Sequence, residues 1–167
     1  MSNVKRIALA GILTAVGVIT STFYIPVGAA KCFPIQAIIN ILSGVFLGPA
    51  YAVGVAFSTS TLRVLLGTGS ILAYPGSMIG ALCCALLYKY THNLYLTYIG
   101  EVIGTGILGA LAAYPLVTLF LPVQAAIFTY VLPFVISSFV GSTISIIIIS
   151  ILQRVKILDK LLNNINL

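Results

Sequence analysis

Apolar residues fall in six runs along the chain, separated by glycine-proline punctuation and a few charges. The pattern predicts helical spans at about Val4–Tyr24, Pro34–Leu47, Ala50–Leu66, Pro75–Tyr90, Tyr95–Tyr114 and Ala126–Leu152, numbered 1 to 6 in chain order. Gly48-Pro49 separates spans 2 and 3, and Pro115 marks a kink or the end of span 5. Crossing about 30 Å of hydrocarbon takes roughly 20 helical residues at 1.5 Å each. Span 2 has 14 residues and span 4 about 16, so they reach only about 21–24 Å. The missing depth must be filled by the stretches that precede them, IPVGAAKCFPI (25–35) and GTGSILAYPG (67–76). Irregular backbone at that depth is tolerated only when it is buried in protein or lines a wet cavity. The expectation is a cavity near one face, walled partly by these two stretches. The first acts as a gating lid through Pro26, Gly28, Lys31 and Pro34, its prolines limiting the loop's conformations.

Composition removes the soluble alternatives. Of 167 residues 60% are hydrophobic and 6% charged, with a mean hydropathy of +1.20; soluble domains carry roughly 25% charged residues. The chain reads as an all-α integral membrane protein, one six-helix domain over residues 1–167. The net charge of +6 does not point to nucleic acid, because the basic residues sit at the ends of apolar runs rather than on one solvated face. They set topology instead. With the N-terminus inside, the inner side holds Lys5, Arg6, Lys89, Arg154, Lys156 and Lys160, and the outer side only Lys31. Both termini are therefore expected in the cytoplasm, and the lid faces out. The apolar stretch after Lys5-Arg6 exceeds the roughly 7–15 residues of a signal h-region, so it reads as a retained first helix. Cys32, Cys83 and Cys84 show no metal spacing.

Within this framework the few polar residues inside spans become candidates. Glu101 is the one acidic residue in a span, and Thr105 lies one turn above it on the same face. Two readings stand open: a carboxylate solvated or paired with Lys89 at the inner interface, or one in an internal ligand network. Arg63, near the outer end of span 3, either snorkels to headgroups or points into the cavity. The two lie about 15 Å apart in depth, which argues against a direct pair. Phe33, Tyr74, Tyr114 and Tyr130 fall near the outer side, as interfacial anchors or as walls of a small-molecule pocket. Gln36 and Asn40 offer further hydrogen-bonding groups. Span 1 carries a ridge of small residues, with Ala8, Gly11 and Ala15 on it, at spacings that allow close helix approach within the chain or to a partner. No catalytic constellation, metal cluster or phosphate loop is present in the sequence. An enzyme is not expected, no cofactor is implied, and uphill transport would need a partner or an ion gradient.

Four ordered segments, IPVGAAKCFPIQ, LGPAYAVGVAF, LLGTGSILAYPGSMIGAL and GEVIGTGILGAL, together resemble the ThiW family. These are substrate-binding S components of energy-coupling factor (ECF) vitamin transporters. The resemblance implies a six-helix fold with an outward pocket closed by the loop after helix 1. It implies the thiazole half of thiamine, hydroxyethylthiazole, as ligand, and the plasma membrane of a bacterial-type cell as location. It further implies a transmembrane coupling protein and two cytoplasmic ATPases as partners, with release by toppling in the bilayer. The small-residue ridge resembles the AxxxA docking motif of such components, loosened here to Gly11-x-x-x-Ala15. The competing reading is a self-sufficient secondary transporter or channel for a small solute, which repeated halves would favour; no convincing repeat relates spans 1–3 to 4–6.

Overall fold

The computed structural model describes residues 3–27, 30–120, 128 and 130–155. Helix α1 (Asn3–Ile19) ends in one 3-10 turn, Thr20–Thr22. Two short strands follow, β1 (Ile25–Val27) and β2 (Ala30–Cys32), then α2 (Pro34–Leu47) and α3 (Pro49–Leu65). Next come α4 (Ala73–Thr91) and α5 (Leu94–Ile103). A π-helical segment, Gly104–Gly109, joins α5 without a break to α6 (Ala110–Phe120). The last described helix is α7 (Val131–Arg154). Three of these rods are long and apolar enough to cross a membrane, over Asn3–Thr22, Leu94–Leu116 and Val131–Arg154.

Helix limits follow local chemistry. Gly48, at φ +85°, turns the chain between α2 and α3, and Pro49 opens α3, where its missing N–H costs nothing. Asn93 caps α5 by accepting a hydrogen bond from Tyr95 N at 2.8 Å. The all-helical expectation holds for the rods; one correction concerns the lid stretch. Ile25–Val27 and Ala30–Cys32 pair as short antiparallel strands with Pro26 opposite Lys31, because strand pairing satisfies backbone groups that an irregular lid would leave bare. A second correction concerns GTGSILAYPG, which is non-helical only as far as Leu72. Helix α4 starts at Ala73, with Pro75 inside the first turn. The third is span 5, which runs through Pro115 to Phe120. Expectations at Gly28, at the Ala126 start of span 6, and at Lys156 and Lys160 lie outside the described residues.

Helix α4 is the centre of the molecule, touching α2, α3, α5 and the π segment. Small residues make this possible. A Cβ added at Gly104 would lie 2.9 Å from Gly80 Cα, and one at Gly109 only 2.5 Å from Gly76 Cα. Apolar association is weak where the surroundings are also apolar, so such close backbone approach supplies the packing. Burial is inverted relative to a soluble protein. Ile7, Ile12, Leu65, Leu119 and Ile147 are exposed, whereas Asn40, Ser60, Arg63, Ser77, Thr97, Glu101, Ser138 and Ser145 are buried. Exposed apolar flanks around a polar interior fit a bilayer solvent, and this is a membrane protein.

Candidate functional site

The buried polar residues form a connected relay. Arg63, on the last turn of α3, donates from Nη1 to Gln36 Oε1 at 3.0 Å. Gln36 Nε2 donates to Asn40 Oδ1 at 3.1 Å, one turn deeper in α2. Asn40 Nδ2 in turn donates to Glu101 Oε1 at 2.9 Å and to the Ser77 carbonyl at 3.2 Å. Thr105 Oγ1 lies 2.7 Å from the same Glu101 oxygen and 3.2 Å from the Gly76 carbonyl. Ser60 and Ser77 are joined at 2.9 Å between α3 and α4. Five elements, α2, α3, α4, α5 and the π segment, are thus tied together by side chains that have no water to turn to, where each unmade bond is costly.

Both open questions about the charges are resolved by these contacts. Glu101 is 0% exposed, bonded to Asn40 and Thr105, and so is not a solvated interfacial carboxylate. Arg63 is 2% exposed and turns inward rather than out to headgroups. The two charges are linked through Gln36 and Asn40 instead of meeting directly, as the depth difference predicts.

A cavity of about 50 Å³ lies alongside this relay. Its polar lining is Gln36, Arg63, Ser77, Thr105 and Ser137, and its apolar lining includes Phe33, Ala37 and Phe134. Phe33, the residue between β2 and α2, lays its ring 3.9 Å from the Arg63 guanidinium carbon. The Tyr24 ring, just before β1, packs against Phe33 with centroids 6.0 Å apart and planes tilted by 50°. Two contacts fasten the hairpin and its approach. The Cys32 thiol donates to the Pro133 carbonyl at 3.0 Å, and Ser21 Oγ lies 2.9 Å from Thr68 Oγ1.

Phe33, Gln36, Arg63 and Thr105 therefore meet around one cavity, whereas Asn40 and Glu101 stand behind it as supports. Three tyrosines sit elsewhere. The Tyr74 hydroxyl donates to Thr61 Oγ1 and its ring packs on Phe57. Tyr130 is buried in an apolar cluster with Leu72, Ala110 and Ala113. Tyr114, half-buried on α6, is not among the lining residues. Pro34 starts α2, its carbonyl pressed where a Cβ on Gly141 would collide. Sequence reasoning missed Ser77, Phe134 and Ser137. The available signal was the run of hydroxyl and glycine positions at helical spacing in α7, Ser137, Ser138, Gly141, Ser142 and Ser145, an inward polar stripe on an otherwise apolar helix.

A second, larger depression of about 660 Å³ lies between α1 and α3, shares no lining residue with the first, and is open to the surroundings. Its floor is mostly apolar, and Gly11, Thr14 and Ala15 face Tyr51, Gly54 and Ser58. Ala8, Gly11 and Ala15 are exposed, while Gly17 takes the contacts within the chain, against Ile39 and Thr59.

Residues 7–155 match the family model ThiW, described as thiamine-precursor transporter protein. No curated protein and no solved structure matches significantly.

Proposed function

We propose, from the premise that the chain belongs to the ThiW family of thiamine-precursor transporter proteins, that it is the substrate-capture (S) component of an ECF-type importer. Its cargo in this reading is hydroxyethylthiazole. The observation that carries it is the buried relay running beside a cavity walled by Phe33, the residue that links β2 to α2. Phe33 and Phe134 supply flat apolar walls for a thiazole ring, and Gln36, Ser77 and Thr105 supply partners for a hydroxyethyl arm. Glu101 acts one layer back, fixing the orientation of Asn40 and Thr105.

At about 50 Å³ the cavity is far below the roughly 300 Å³ of a small-molecule pocket. This arrangement is therefore the closed one, and ligand entry requires the hairpin to lift. Lifting takes Phe33 off Arg63 and strains the Cys32–Pro133 and Ser21–Thr68 contacts, so the lid residues set the entry rate. Pro26 and Lys31 lie opposite each other on that lid. Tyr74, Tyr114 and Tyr130 brace the helices that frame the opening rather than touching cargo in the closed state.

Delivery uses the other face. Ala8, Gly11 and Ala15 leave α1 open to close approach by a transmembrane coupling protein, beside the groove shared with α3. Two cytoplasmic ATPases complete the importer and drive the toppling that releases cargo inside. The whole chain is one multi-pass module of the plasma membrane, six spans with both termini inside, a topology supported by the bias of Lys and Arg.

The test is an equilibrium titration of the purified chain in detergent with hydroxyethylthiazole, thiamine and the pyrimidine precursor. Saturable binding of the thiazole in preference to the other two is expected. Binding of none of them, or uptake into liposomes by the lone chain, contradicts the reading.

A further inference from the structure

The guanidinium of Arg63 is bonded on only one side. Nη1 reaches Gln36, one face is covered by Phe33, and the remaining atoms, Nε and Nη2, are buried without a hydrogen-bond partner among the described residues. Those two atoms form one edge of the fork. An Nε–H and an Nη2–H point the same way, and this edge accepts two oxygens of a carboxylate or phosphate side by side. The side chain is 2% exposed and lines the cavity, so the open edge has neither water nor headgroup to turn to.

A guanidinium stays protonated in proteins, and a buried charge without compensation is strongly unfavourable. Within the molecule the nearest answer is Glu101, but two amide side chains stand between them, Glu101 Oε1 already serves Asn40 and Thr105, and Oε2, without a partner among the described residues, lies against Gly80. A neutral alcohol offers Arg63 a single weak acceptor. It leaves one arm of the fork unused, and Ser77, Thr105 and Ser137 already suffice for a hydroxyl. The donors around this cavity are in excess of what a neutral cargo uses.

We propose that the cargo is an oxyanion-bearing thiazole, a phosphate monoester or a carboxylate, whose oxygens sit on the Nε–Nη2 edge of Arg63 under Phe33. This rests on the thiazole-capture reading and adds a charge requirement to it. Phe33 then has two tasks: it screens the guanidinium while the site is closed and admits the anion when the hairpin lifts. Gln36 holds the fork in register from the opposite side.

The experiment uses the full chain in detergent and three probes: hydroxyethylthiazole, its phosphate monoester and the corresponding thiazole carboxylate. Wild type is expected to bind one of the two anionic probes at least about tenfold more tightly than the alcohol, and the better of the two identifies the oxyanion. Arg63→Gln is expected to erase that preference, and Arg63→Lys, which keeps the charge without the fork, to cut it severalfold. Where Arg63→Gln does not fold, Arg63→Lys decides. Equal or tighter binding of the neutral alcohol, or undiminished preference in Arg63→Lys, overturns the proposal while leaving thiazole capture intact. If no thiazole binds, protection against thermal unfolding by inorganic phosphate is compared. Protection of wild type but not of Arg63→Gln or Arg63→Lys upholds the oxyanion seat and removes the thiazole; absence of protection overturns both.

Discussion

Asn40 holds the relay together because one amide serves three partners, accepting from Gln36 and donating to Glu101 and to the Ser77 carbonyl. Replacing it by leucine keeps the volume and orphans the Gln36 amide and one side of the Glu101 carboxylate. Asn40→Leu is expected to destabilise the protein by on the order of 3 kcal/mol, read as a lower unfolding midpoint in detergent, and to abolish binding. Glu101 separates two effects. Glu101→Gln retains an oxygen that accepts from Asn40 and Thr105, whereas Glu101→Ala leaves both donors unmatched. Thermal unfolding should therefore rank Glu101→Ala well below Glu101→Gln, and equal midpoints would remove Glu101 from its supporting role. At this scale the sequence was informative about Glu101, Arg63 and Thr105, since charged or polar groups inside spans are costly and stand out. Which residues joined the charges was not legible, because Gln36 and Asn40 acquire their roles only when α2 is laid against α3 and α5.

The hairpin and the π segment are the two elements that give the site its shape. A lid was legible from arithmetic alone: a 14-residue α2 is too short to cross by itself, and IPVGAAKCFPI had to fill the depth. Its strand character was not, since three-residue strands are too short for a period of two to show. If lifting the hairpin admits ligand, tying its base down should slow entry. Ser21 Oγ and Thr68 Oγ1 are 2.9 Å apart, so cysteines at both positions come within disulfide reach. The oxidised Ser21→Cys/Thr68→Cys double variant is expected to bind cargo at a reduced association rate that reductant restores; identical rates in both states would show that the lid moves elsewhere. The π segment is marked in the sequence by its glycines, Gly104, Gly106 and Gly109. Its consequence is that Gly80 lies against Thr105, where a Cβ would collide with the Thr105 hydroxyl and come 2.9 Å from Glu101 Oε2. Gly80→Ala therefore forces Thr105 off Glu101, and a drop in affinity of about tenfold or more in the titration checks this.

For the molecule as a whole, the proposed capture and delivery roles fall on separate surfaces. The relay and its cavity lie among α2, α3, α4, the π segment and α7, while the small-residue face of α1 opens beside α3. A Cβ added at Gly11 meets nothing within 4 Å, so Gly11→Leu should leave folding and affinity unchanged and still reduce uptake and co-purification with the coupling protein. Reduced affinity in this variant would merge the two surfaces. The membrane class and the order of the rods were legible because hydropathy and glycine-proline punctuation act locally. The polar stripe of α7 is readable in its hydroxyl and glycine spacing, but the central place of α4 depends on how the rods are rotated about their axes, which a single apolar helix does not encode.

The central claim is that the cavity walled by Phe33 captures a thiazole through the relay beside it. Mass spectrometry of small molecules released from the purified, then denatured chain tests this most directly. A thiazole species is expected from wild type and from Gly11→Leu, and not from Asn40→Leu. Release of a different vitamin-sized compound, or of the same thiazole in equal amount from Asn40→Leu, would contradict the account.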